Sequence, residues 1–98
     1  MSIGLLYIEM GIPFASSLKE KRSSIKPLLH RLHREFNVSV CEFAHQEDTK
    51  STVIACSMIS DSRIFIEKEF ARIISFLPRK FADLEINSHS TEYFKAKQ

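Results

Sequence analysis

Residues 37–60 read NVSVCEFAHQ, EDTK, STVIACSMIS: two runs rich in valine, isoleucine and small residues on either side of the polar tetrapeptide Glu47-Asp48-Thr49-Lys50. Such runs bounded by a short polar turn predict a hairpin, Asn37 to Gln46 paired with Ser51 to Ser60. If the loop is symmetric, Cys41 lies opposite Cys56, Phe43 opposite Ile54 and Ser39 opposite Met58 on one face. Val38, Val40, Val53, Ala55 and Ile59 then line the other. Small and β-branched residues let a helix sit close to a sheet, so this second face is expected under the helices.

The hairpin is flanked on both sides by helical periodicity. Upstream, Ser17 to Phe36 (SLKEKRSSIKPLLHRLHREF) opens with a capping box in which Ser17 accepts from the Glu20 N–H and the Glu20 carboxylate reaches back to the Ser17 N–H. At 100° per residue, Leu18, Ile25, Leu29, Leu32 and Phe36 share one stripe, flanked by Leu28. Pro27 sits mid-helix and predicts a kink near Ser23, or a weak break there. Downstream, Asp61 or Ser60 caps a helix from Ser62 to Leu77, with Ile66, Phe70, Ile73 and Leu77 at helical spacing, Phe65 and Phe76 beside them, and Pro78 at its end.

The outer segments complete the pattern. Ile3 to Met10 alternates Leu6, Ile8 and Met10 with Leu5, Tyr7 and Glu9, a strand with two largely apolar faces that belongs in the middle of a sheet. Gly11, Ile12 and Pro13 end it. Ala82 to His89, with Leu84 and Ile86 alternating against Asp83, Glu85 and Asn87, reads as an edge strand, followed by a partly ordered tail over residues 90–98. The order βαββαβ, two right-handed crossovers with a hairpin between them, gives an α+β, ferredoxin-like sandwich: one antiparallel four-stranded sheet with both helices on one face and the first and third strands central.

Ninety-eight residues with 44% hydrophobic and 27% charged side chains suit a single globular domain over residues 1–98. No run approaches a membrane span, and the start MSIGLLYIEMG lacks a basic region and a cleavage site, so a cytoplasmic protein with no membrane partner is expected. Two cysteines fifteen positions apart make neither a disulfide framework nor a zinc site, and two packed thiols are expected. Residues 17–36 hold six cations against two carboxylates, a net +4 in a chain whose total is +2, so the remainder is acidic.

The motifs GLLYIEMGIP, SLKEKR (Ser17 to Arg22), RLHREFNVSVCE (Arg31 to Glu42) and the pair His45-Gln46 resemble the YlxP-like family of small bacterial proteins, over nearly the whole chain. Glu47-Asp48-Thr49 follows here where family members tend to have Asp and then Leu-Trp. The resemblance implies a ferredoxin-like fold and, through the translation and ribosome-maturation genes among which such genes often sit, a role near RNA.

Three groups of side chains are candidates for function. On the helical wheel Lys19, Arg22, Lys26, His30, His33 and Arg34 form one cationic sector able to contact phosphates, or simply a solvated helix face. The predicted third strand has no aromatic residue for base stacking, so contact with RNA or a ribosomal component is expected through the helix or a loop and not the sheet. Leu5, Tyr7, Phe43, Ile54 and Met58 would share the uncovered sheet face, the expected interface of a homodimer. His45, Gln46 and Glu47 gather at the hairpin end, where His45 is expected to make a structural hydrogen bond. No catalytic set, metal site or cofactor motif is read. The expectation is a non-enzymatic binding module acting through the basic first helix, with a homodimeric protein–protein domain as the alternative.

Overall fold

Residues 1–97 are described by a computed structural model. Its elements are β1 (Ser2–Gly11), α1 (Leu18–Glu35), β2 (Ser39–Ala44), β3 (Ser51–Ser60), α2 (Arg63–Lys80) and β4 (Glu85–Lys95). The strands form one antiparallel sheet in the order β2-β3-β1-β4, so β1 and β3 are central and β4 is an edge. Both helices pack on the same face, which makes the ferredoxin-like α+β sandwich expected from the element order.

The alternation of β1 decides which face is which. Leu6, Ile8 and Met10 are buried against Leu28 and Leu32 of α1 and Ile66, Phe70 and Ile73 of α2, whereas Ile3, Leu5, Tyr7 and Glu9 point to the uncovered face and are half-buried. Gly4 belongs to the covered side for a steric reason. A Cβ there would lie 2.5 Å from Ile66 Cγ2 and 2.9 Å from Phe70 Cε2, so the missing side chain lets α2 approach β1.

The hairpin register differs from the symmetric one. Val40 pairs with Cys56, Cys41 with Ala55 and Glu42 with Ile54, and then a bulge places Ala44 opposite Val53 and leaves Phe43 as the extra residue. A one-residue slip exchanges every facing of a strand. Ile54, Cys56 and Met58 therefore lie in the core beneath the helices, while Val53, Ala55 and Ile59 lie on the uncovered face, the reverse of the expectation for β3. Val38 and Val40 do pack toward the helices. Cys41 and Cys56 end on opposite faces as free thiols, Cys41 exposed and Cys56 buried.

Local details of the caps and ends also change. Ser17 Oγ accepts from the Glu20 N–H at 3.1 Å, but the Glu20 carboxylate turns to Ser16, meeting its N–H at 3.3 Å and its hydroxyl, instead of the Ser17 N–H. α1 runs unbroken from Leu18 to Glu35 through Pro27, which faces solvent. α2 is capped by Ser62, whose Oγ accepts from the Phe65 N–H at 3.2 Å, and it continues past Pro78 to Lys80. Finally, Ser90 to Lys95, assigned to a tail, are strand: β4 pairs with β1 from Glu85–Gly11 to Lys95–Ser2. Of the expected tail, Gln98 lies outside the described residues.

Candidate functional site

The motif SLKEKR at the start of α1 carries one lysine inward. Lys21 is 1% exposed, and its ammonium donates to His45 O at 2.6 Å and Asp48 O at 2.6 Å and pairs with Glu42 Oε2 at 2.9 Å. Three donors meet three acceptors, so the buried charge is fully partnered. Glu42 Oε2 also accepts from the buried Thr52 hydroxyl at 2.7 Å. A second stitch runs the other way: Lys50 Nζ donates to Pro13 O at 2.9 Å and Ala15 O at 2.6 Å, and the Ile12 N–H donates to Lys50 O at 2.8 Å. The hairpin tip and the loop before α1 are thus held as one unit, which positions the first turns of the helix.

Within the tip, His45 has φ 63°, a left-handed conformation that aims its carbonyl at Lys21. Its Nδ1 lies 3.1 Å from Ser51 Oγ, and that hydroxyl donates to Asp48 Oδ2 at 2.9 Å. The bonds from Ser51 and from the Lys50 N–H hold the Asp48 carboxyl below its ordinary range. The serine stands between the histidine and the carboxylate. In nucleophilic catalysis the imidazole must stand between them, so the arrangement fixes a turn and does not activate a nucleophile. Gln46 Nε2 donates to Glu42 O at 3.4 Å, Glu47 is exposed, and all three hairpin-end candidates face solvent.

The solvent side of α1 presents Lys19, Arg22, Lys26, His30 and Arg34, all exposed and none of them in an ion pair among the described residues, along about 22 Å of helix. Arg31 is paired with Glu35 at 3.0 Å, and the Glu20 carboxylate turns to Ser16 and not to any cation of this strip. Arg22 and Lys26 also line a recess of about 300 Å³ with Ile25, Leu29 and Glu42. His33 leaves the group, because its Nδ1 lies 2.9 Å from Val38 O and ties the helix end to the start of β2.

The uncovered sheet face is the second surface. Its residues are the outward set of β1, with Ser39, Cys41 and Phe43 from β2, Ser51, Val53, Ala55, Ser57 and Ile59 from β3, and Glu85, Ser88, Ser90, Glu92 and Phe94 from β4. Phe43, Ile59 and Phe94 are 57%, 62% and 49% exposed. Tyr7 packs on Phe43 with ring centroids 5.4 Å apart, and its hydroxyl donates to Glu92 Oε1 at 2.8 Å, a bond that raises the phenol pKa. Of the five expected interface residues, Leu5, Tyr7 and Phe43 lie on this face, whereas Ile54 and Met58 are core residues.

Lys21 is the residue that reading the sequence missed. On the helical wheel it falls between Ile25 and Leu28, in the middle of the apolar stripe, and a lysine there must find buried acceptors. The register slip hid the outward positions of β3 for a different reason: nothing local distinguishes the two faces of a strand that is apolar on both. Among the described residues no three potential metal ligands cluster.

The family model described as Protein of unknown function (DUF503) matches residues 3–91. The chain is 37% identical over 92 residues to the Uncharacterized protein YlxP of Bacillus subtilis (strain 168), spanning 94% of this chain and 99% of that one. Among solved structures it is similar to the de novo designed protein Foldit4, with a TM-score of 0.53 and 15% identity over 97% of this chain and 99% of that chain, a likeness of fold alone.

Proposed function

The chain belongs to the family described as Protein of unknown function (DUF503), and from that premise we propose that it is a non-enzymatic, homodimeric binding module that holds structured RNA by the basic face of α1. The observation that carries this reading is the segregation of charge among the described residues: Lys19, Arg22, Lys26 and Arg34 stand outside any ion pair on one side of one helix, while no lysine or arginine lies at the strand positions of the uncovered sheet face. Cations in a row neutralise successive phosphates and release their counterions, with arginine adding a two-pronged bond that lysine lacks. The Lys21 and Lys50 stitches support the reading, since they hold the strip's first turns rigid against the hairpin.

Filter binding of a ribosomal RNA hairpin over a salt series tests it. Four phosphate contacts give a slope of log K against log salt of roughly −3 to −4 on a duplex. Replacing Lys19, Arg22, Lys26 and Arg34 together by alanine is expected to abolish binding. Absence of binding at low salt, or a quadruple variant that binds as the parent does, rejects the reading. The alternative, a homodimeric protein–protein domain with no nucleic-acid role, is favoured by the exposed Phe43, Ile59 and Phe94, and it stands if dimerisation survives a failure of RNA binding.

A further inference from the structure

We infer that the uncovered sheet face is occupied by a second copy of this chain, packed face to face about a two-fold axis, so that the two basic α1 surfaces lie on opposite outer sides of a four-layer assembly. The bivalency rests on the RNA reading above; the arrangement of the two copies does not.

Three features of the face choose the occupant. Nucleic acid is excluded by charge, because the ionised groups at the described strand positions on this face are the carboxylates Glu9, Glu85 and Glu92, and Glu92 already accepts from Tyr7. A single inserted peptide is disfavoured by the spread of apolar contact, since Phe43, Val53, Leu5, Tyr7 and Phe94 distribute it over all four strands instead of along one line. Its area suits a copy of itself. β1 and β3 are ten residues each, about 33 Å at ~3.3 Å per residue, and four strands spaced at ~4.8 Å span about 19 Å. Two such footprints of about 600 Å² reach the roughly 1,200 Å² at which specific interfaces begin, before side-chain relief is added.

Sheets stack about 10 Å apart with strands near −30°, the geometry of a sandwich core, and residues such as Phe43 and Ile59 would interdigitate across the axis. The helices occupy the other face of each sheet. Face-to-face pairing therefore points the two cationic strips away from each other, separated by two sheets and two helices, about 40 Å from one outer side to the other. One RNA duplex cannot lie on both, so the dimer would join two RNA segments.

Sedimentation of the full chain at micromolar concentration is expected to give twice the 11.3 kDa chain mass. Phe43→Glu and Ile59→Glu alter side chains already more than half exposed in the single copy, so each is expected to keep the far-ultraviolet spectrum and fall to the chain mass. Parent protein that stays at the chain mass, or folded glutamate variants that remain dimeric through an edge or helix contact, overturns the proposal. A second arm uses two differently labelled RNA hairpins, one captured on beads. The parent is expected to retain the other hairpin, and the glutamate variants to bind either hairpin singly without joining them. If no RNA binds, the RNA reading and the bridging fail together while the mass measurement still decides the interface; if RNA binds and the parent dimer never joins two hairpins, the outward arrangement is overturned.

Discussion

The two faces of the sheet are built from the same strands by the same alternation, yet they have opposite fates. Under the helices, Leu6, Ile8, Ile54, Cys56 and Met58 are sealed by α1 and α2, and Gly4 lets α2 settle on β1. On the other side Leu5, Tyr7, Phe43, Ile59 and Phe94 are as apolar in kind but meet no second layer within the chain. Apolar content alone therefore does not say which face is the core. The bulge at Phe43 puts Val38, Val40 and Glu42 on the side of the even-numbered residues of β3, and Lys21 of α1 pairs with Glu42 from that side.

The covered face should be the more costly one to damage. Lys21→Met strands the Glu42 carboxylate and two carbonyls beneath the hairpin, and denaturant unfolding is expected to show a loss of about 3–5 kcal/mol. An unchanged midpoint would mean that water satisfies those groups instead. Ile54→Ala, also inward, is expected to cost about 2–5 kcal/mol by the cavity it leaves. Measured in the monomeric Phe43→Glu background, Ile59→Ser on the opposite face of the same strand is expected to stay within about 0.5 kcal/mol. Equal costs at positions 54 and 59 would erase the distinction between the faces.

Thiol chemistry reads the same contrast more gently. Burial pushes the Cys56 thiol up to about 12, with nearby Cys41 adding to it, whereas Cys41 is exposed. Alkylation at pH 8 is expected to modify Cys41 alone in the folded monomeric variant, to slow in the parent dimer, and to reach both thiols only in denaturant. The smallest effect is expected from pH. The bonds to Asp48 hold its folded pKa below the unfolded one, so their contribution is present at neutral pH and is lost as pH falls through the folded value. Asp48→Asn should remove that acid-side dependence, visible as a reduced shift in melting temperature below about pH 4.

How much of this was legible differs from element to element. The capping serine of α1, the stripe through Ile25, Leu32 and Phe36, and the order of six elements all follow from local spacing, and the structure places them where the spacing does. Pro27 does not break α1, and Pro78 does not end α2. Both lie within helices, because tertiary packing of the apolar faces offsets one missing backbone bond. The strip Lys19, Arg22, Lys26, His30 and Arg34 was legible as a helical sector, whereas the removal of His33 from it required the carbonyl of Val38 to be in reach.

The sequence by itself determined the element order, the antiparallel hairpin, the central place of β1 and the cationic sector of α1, since each depends on neighbours a few residues apart or on the handedness of a crossover. The tertiary structure alone decided that Lys21 is a buried anchor and not a surface charge, that Cys41 and Cys56 face apart, and that Ile59 in place of Met58 is left without cover. Those outcomes turn on a one-residue register and on carbonyls brought in from more than twenty residues away, and a period of two is silent about which of two apolar faces a helix will cover.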